Sequence, residues 1–209
     1  MKTNTMKTKK GFTLLELLIV IGILAILSTT IVLVINPAEL LKKARDSQRI
    51  SDLSTLKTAI AYYITETAAP DIGSFSTAKT YSDVSDVNCG GTAAPTSTAT
   101  TVDGDGWIPI KFDELAGGSP ISALPIDPNP TAAGYTDGKA HYYVYVTKDS
   151  NLTFELLANM ESAYYSNGGA GDVESKDGGA SGLTYLYEIG TELSIITASA
   201  TNCLMGDGS

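Results

Sequence analysis

The chain has 209 residues but only one histidine and two cysteines, and these shortages count against a zinc site and against imidazole- or thiol-based catalysis. Cys89 and Cys203 form no C-x-x-C pair and His141 is the only imidazole, so the ligands of a zinc site are missing. There is no G-x-S-x-G elbow, no P-loop and no visible Ser/His/Asp constellation, and His141 reads as the start of a strand rather than a general base. No catalytic residue is expected. Positive charge is also scarce over most of the chain: residues 68–209 carry 18 acidic and 5 basic side chains. An acidic surface repels phosphate backbones, which makes nucleic acid an unlikely partner.

What the chain does have is a long apolar run near its start. Residues 12–35, FTLLELLIVIGILAILSTTIVLVI, hold a single charge, Glu16. About 20 helical residues cross the hydrocarbon core of a bilayer, so the run is long enough for a membrane helix. An ordinary signal peptide would have a shorter apolar region and a small-residue cleavage motif on its far side. Lys2, Lys7, Lys9 and Lys10 precede the run and favour a cytoplasmic N-terminus, whereas Lys42, Lys43, Arg45 and Arg49 follow it and nearly balance that bias. Glu16 near a bilayer needs a partner, and its i+3 and i+4 neighbours are Ile19 and Val20. A cut between Gly11 and Phe12 would supply one, because the new α-amino group lies at the same depth.

The segment Lys9-Lys10-Gly11-Phe12-Thr13-Leu14-Leu15-Glu16 closely resembles the prepilin peptidase signal of type IV pilins and of the pseudopilins of type II secretion. The resemblance covers residues 9–67. It implies a leader over residues 1–11, cleavage after Gly11 by an inner-membrane aspartyl peptidase, N-methylation of Phe12, and Glu16 as the carboxylate that pairs with a neighbouring Phe12 amine during assembly. The implied partners are other copies in a filament, the prepilin peptidase and methyltransferase, the inner-membrane assembly machinery, and lipid before assembly. The implied location is the inner membrane first, in a single pass, and a cell-surface filament afterwards. A type II secretion pseudopilin is the alternative, and a membrane-anchored enzyme or receptor is a third reading.

Beyond the span, Asn36-Pro37-Ala38-Glu39 reads as a helix restart, with Asn36 as N-cap, Pro37 at the first helical position and Glu39 closing a capping box. A break is expected at Pro37. A stalk helix should cover residues 36–67, with a stripe of Leu40, Leu41, Ala44, Ile50, Leu53, Leu56, Ile60, Tyr63 and Ile64 facing a sheet. Lys42, Lys43, Arg45, Asp46, Arg49, Asp52 and Lys57 lie on other faces and read mostly as solvated. Residues 68–209 form a β head in which 70–106 read as a long loop. Strands are expected at Trp107 to Phe112, His141 to Thr147, Thr153 to Met160, Leu183 to Ile189 and Leu193 to Ala198. Tyr142, Val144 and Val146 would cover the helix, with Tyr143 and Tyr145 on the opposite face. The fold class is α+β, a long N-terminal helix packed on an antiparallel sheet.

In an exported head Cys89 and Cys203 are expected to form a disulfide, with two buried thiols as the alternative. Leu124-Pro-Ile-Asp-Pro128 is similar to a loop of major pseudopilins, whose heads often hold calcium. Asp103, Asp105, Asp172, Glu174 and Asp177 are therefore weighed as ligands, but their spacing fits no EF-hand and Asp-Gly pairs are ordinary turn formers. No cofactor is expected, calcium being the one ion held open. Asn151-Leu-Thr153 matches a glycosylation triplet.

Overall fold

The computed structural model describes residues 11–73, 79–82, 88–89, 92–93, 97–130, 141–148, 151–178 and 185–195. The chain divides into two compact units, Met1–Leu40 and Leu41–Ser209. The first is built on α1, Leu14–Ile35. Its window Leu14–Ile31 has a mean hydropathy of 2.5 and is long and apolar enough to cross a membrane. Ser28, Thr29 and Thr30 do not break it, because each hydroxyl donates back to a carbonyl four residues earlier, on Leu24, Ala25 and Ile26, at 2.7, 2.9 and 2.8 Å. Those internal bonds satisfy the polar step without water.

The helix is interrupted at Asn36, which takes a left-handed conformation (φ 44°). Asparagine tolerates that region better than most residues, and Pro37, which has no N–H to donate, opens α2, Pro37–Glu66. Asn36 Oδ1 accepts from Glu39 N at 3.4 Å, but the return half of the capping box is missing: Glu39 Oε1 has no partner among the described residues.

In the second unit α2 packs on a four-stranded antiparallel sheet of order β1-β4-β5-β6. The strands are β1 Lys79–Ser82, β4 Val144–Lys148, β5 Thr153–Ala158 and β6 Tyr187–Gly190, and a separate hairpin pairs β2 Asn88–Cys89 with β3 Thr92–Ala93. The register aligns Tyr81 with Tyr145, Tyr145 with Leu156, and Leu156 with Ile189. Stretch 70–106, read as a loop from its composition, thus supplies an edge strand and the small hairpin. Composition was a poor guide there because an edge strand needs backbone pairing on only one side and little apolar weight.

Two further expectations are corrected. Residues 107–112 are not a strand but irregular backbone ending in a short 3-10 turn, Phe112–Glu114. The neighbours Trp107 and Ile108 are both buried, which defeats period-2 facing, and Pro109 lacks the N–H a ladder requires. Trp107 Nε1 instead donates to Pro125 O at 2.9 Å. Gly106 permits this fold-back: a Cβ there would lie 2.2 Å from Thr101 O. The second correction concerns β4. Tyr143 and Tyr145 face the helix, in one core with Leu53, Leu56, Ile60, Tyr63, Trp107, Phe112, Phe154 and Leu156, while Val144 and Val146 lie on the opposite face. Phenols can be buried here because their hydroxyls have partners, Tyr143 with Asp52 Oδ2 and Tyr145 with Ile72 O, both at 2.8 Å.

The stalk stripe is only half in the core. Leu53, Leu56, Ala59, Ile60 and Tyr63 are buried, whereas Leu40, Leu41 and Ala44 are exposed. β6 overlaps the expected Leu183 to Ile189 strand at residues 187–189 and runs one residue past it; of the expected Leu193 to Ala198 strand, residues 193–195 are not strand and 196–198 lie outside the described residues, as does Cys203.

Candidate functional site

The sequence points to the start of α1. Gly11 and Phe12 are non-helical and exposed, Phe12 at 92%, and nothing within 4 Å would meet a Cβ on Gly11. The Gly11–Phe12 peptide bond therefore lies on open backbone just ahead of the helix. Thr13 is the N-cap, with extended dihedrals. Its hydroxyl accepts from Glu16 N at 3.2 Å, and Glu16 Oε2 accepts from both Thr13 N and Thr13 Oγ1 at 2.8 Å. This is a capping box: two of the four orphan amides of a helix start are satisfied reciprocally, and the carboxylate sits at the positive end of the helix dipole. Two bonds hold the Glu16 side chain, and a third ties its amide to the Thr13 hydroxyl. Glu16 is thus fixed over the first turn, bonded to the Thr13 amide, which is one residue on from the nitrogen that a cut after Gly11 would free. Thr13 was missed from the sequence although Thr13-Leu-Leu-Glu16 carries the S/T-x-x-E signature.

A second cluster, in the Leu41–Ser209 unit, was also missed. Asp46, Arg49 and Asp127 are all buried. Arg49 donates to Asp127 through Nε and Nη2, to Glu161 through Nη2, each at 2.7 Å, and to Asp46 through Nη1 at 2.8 Å. Asp46 also accepts from the backbone N–H groups of Glu161 and Ser162 at 2.9 and 2.8 Å, and Arg45 pairs with Glu161. The cluster ties α2 to the proline-rich segment 124–128 and to the chain following β5. Burial opposes the Arg49 charge, but Asp127 and Glu161 outweigh it and raise the guanidinium's pKa. Burial likewise works against ionised Glu161, yet Arg45 and Arg49 prevail and hold its carboxyl down to about 2. For Tyr143, burial and then Asp52 push ionisation upward, so the phenol remains a donor.

These side chains were read as solvated because a charge run on a helix usually is. The available signal was the i, i+3 spacing of Asp46 and Arg49 together with an aspartate held between prolines. Lys43 also departs from a free surface role, lying 4.4 Å from the Tyr164 ring centroid.

Four of the five acids weighed as calcium ligands, Asp103, Asp172, Glu174 and Asp177, accept backbone N–H groups and act as loop staples. Asp103 Oδ1 accepts from Asp105 N, Glu174 from Met160 N and Asn167 N, Asp177 from Glu188 N, and Asp172 from Gly168 N and Ser175 N. No group of three His, Cys, Asp or Glu fit to hold a metal ion occurs among the described residues. An open groove of about 440 Å³ is lined by Ser54, Thr55, Thr58, Ala59, Tyr62, Pro120 and Ile121, a set that offers no general base.

Comparison with known proteins yields one match. Residues 6–32 fit the family model for the prokaryotic N-terminal methylation motif. This is the signal of type IV pilins and pseudopilins, and it ends within the apolar helix. No curated protein and no solved structure matches the chain.

Proposed function

We propose that this chain is a structural subunit of a type IV pilus or pilus-like filament, inserted in the inner membrane with its N-terminus cytoplasmic and carried later to the cell surface. The observation that carries the reading is the methylation motif at residues 6–32, laid over an exposed Gly11–Phe12 bond and a helix whose one charge, Glu16, lies in its first turn. In this reading water adds to the Gly11 carbonyl, Phe12 leaves as an ammonium, and a methyl group is then transferred to that nitrogen. Glu16 of one subunit neutralises the Phe12 amine of another in a water-poor bundle of apolar helices. A subunit out of register leaves both charges unpaired, and breaking one buried pair costs about 3–5 kcal/mol. The capping box supports this role by holding the carboxylate at the helix end rather than along the lipid-facing side.

The head contributes no chemistry in this scheme. It forms the outer surface, and the Arg49 cluster transmits force between stalk and sheet. One observation favours a secretion pseudopilin as the second reading. Asp127, within the Leu124-Pro-Ile-Asp-Pro128 segment that is similar to a pseudopilin loop, is a principal anchor of the head.

The test is intact mass and N-terminal fragmentation of the chain recovered from membranes and from sheared surface material, beside a Glu16→Ala variant. A methylated Phe12 terminus in sheared fibres, with the variant cleaved but retained in the membrane, is expected. A Met1 terminus in a host with active prepilin peptidase would sink the filament reading. Processed chain confined to the periplasm, absent from sheared material, would favour the pseudopilin.

A further inference from the structure

The irregular segment after β5 contains Asn167-Gly168, and both amide hydrogens of this dipeptide are held by carboxylates. Asn167 N donates to Glu174 Oε2 at 2.9 Å and Gly168 N to Asp172 Oδ2 at 3.0 Å. Asn-Gly is the dipeptide in which spontaneous deamidation meets least steric resistance, because glycine has no Cβ to block ring closure. In that reaction the Gly168 nitrogen loses its proton and attacks Cγ of Asn167. Ammonia leaves, and water opens the five-membered imide to aspartate or isoaspartate. The net change is water in and ammonia out, with no redox partner. Asn167 and Gly168 are both exposed, so water and hydroxide have access.

The fold cannot avoid the hazard by replacing the glycine, since Gly168 has φ +81°, where a Cβ is strained. It can oppose the first step. The nucleophile forms only when the Gly168 N–H ionises, and that hydrogen points at an anionic oxygen that stabilises it in place and repels the incoming negative charge. Asp172 is itself locked by Ser175 N and Ser175 Oγ. Ser175 and the Gly168 amide hold its carboxyl down to about 2, so it stays an anion and is far too weak a base to remove an amide proton.

We infer that Asn167–Gly168 is a deamidation site kept latent by Asp172. Conversion would add a third carboxylate beside Asp172 and Glu174, and isoaspartate would also lengthen the backbone by one carbon. Either product loosens the loop whose Glu161, Tyr164 and Tyr165 contact α2. The inference stands on head geometry and does not depend on filament assembly.

The test incubates the full chain in detergent at mildly alkaline pH and follows Asn167 by peptide mapping, beside a synthetic peptide spanning residues 160–178. The folded chain should deamidate at least about tenfold more slowly than the peptide, and Asp172→Ala should remove most of that difference, a span consistent with losing a hydrogen bond to a charged acceptor. Ser175→Ala leaves the Gly168 contact and should stay slow. Equal rates in folded chain and peptide would overturn the inference, as would a folded Asp172→Ala variant no faster than the parent. Should Asp172→Ala unfold the head, hydrogen exchange at the Gly168 amide of the parent decides: protection supports the guard, and exchange at the peptide's rate overturns it.

Discussion

Replacing Arg49 with methionine tests the central energetic claim about the head. The guanidinium occupies both oxygens of Asp127 and also reaches Asp46 and Glu161, with Arg49 and Asp46 fully buried and Asp127 at 1% exposure. Without it, Asp46 retains the N–H groups of Glu161 and Ser162, Glu161 retains Arg45, and Asp127 retains the Asn129 amide. Three buried or half-buried carboxylates would lose the cation they share, and breaking a buried ion cluster from one side should destabilise the head by about 3–5 kcal/mol. Asp127→Asn should have a smaller effect, about 1–3 kcal/mol, because Arg49 keeps two acids. The double variant Arg49→Met, Asp127→Leu should recover much of the loss, since apolar residues of similar volume often replace buried ion pairs at little net change. Urea unfolding of the chain in detergent, read through Trp107, gives all three values. Trp107 is the only tryptophan, is fully buried, and bonds to Pro125, two residues from Asp127, so it reports directly on this part of the head. A loss below about 1 kcal/mol for Arg49→Met, the range of exposed pairs, would refute the claim that the cluster holds the stalk to the sheet.

The remaining predictions concern pH, packing and covalent state. The Glu161 pKa is depressed in the fold to about 2 from 4.5, so its contribution is complete above about pH 4.5 and is lost as pH falls towards 2. Acid unfolding should therefore steepen in that window by up to about 3 kcal/mol, and Glu161→Gln should flatten it. Tyr143→Phe leaves Asp52 without its phenol donor and should lower the unfolding free energy by about 1–3 kcal/mol with little change in urea dependence. Gly106→Ala places a methyl against Thr101 O, and thermal unfolding should show one of the larger losses of any single-methyl change in the head. Non-reducing peptide mapping of exported chain should find Cys89 joined to Cys203, and reduction should lower stability by up to about 4–5 kcal/mol; two free thiols would contradict the pairing.

The two halves of the chain differ in how much their sequence discloses. Phe12 to Ile35 was legible because one solvent sets its rules: length and apolarity follow from the bilayer and need no tertiary partner. The break at Asn36-Pro37 was equally local, since proline and a left-handed asparagine act on their own backbone. The buried stripe from Leu53 to Tyr63 followed from helical spacing, and β4 and β5 from alternating β-rich runs.

Tertiary structure decided the rest. Whether Arg49 faces water or Asp127 depends on a residue 78 positions away, and a charge on a helix surface looks the same in sequence either way. Alternation along β4 showed that Tyr143 and Tyr145 share a face but not which face meets α2, because that choice turns on Asp52 and Ile72 O standing within reach of the two hydroxyls. Stretch 70–106 looked structureless because a strand at a sheet edge borrows its order from β4 rather than from its own side chains. The sequence by itself determined a membrane-compatible helix bearing a processing signal and an α+β head. Only the fold determined that the head is joined to its stalk by a buried ion cluster, since the energy of a buried charge depends on partners that distant segments bring to it.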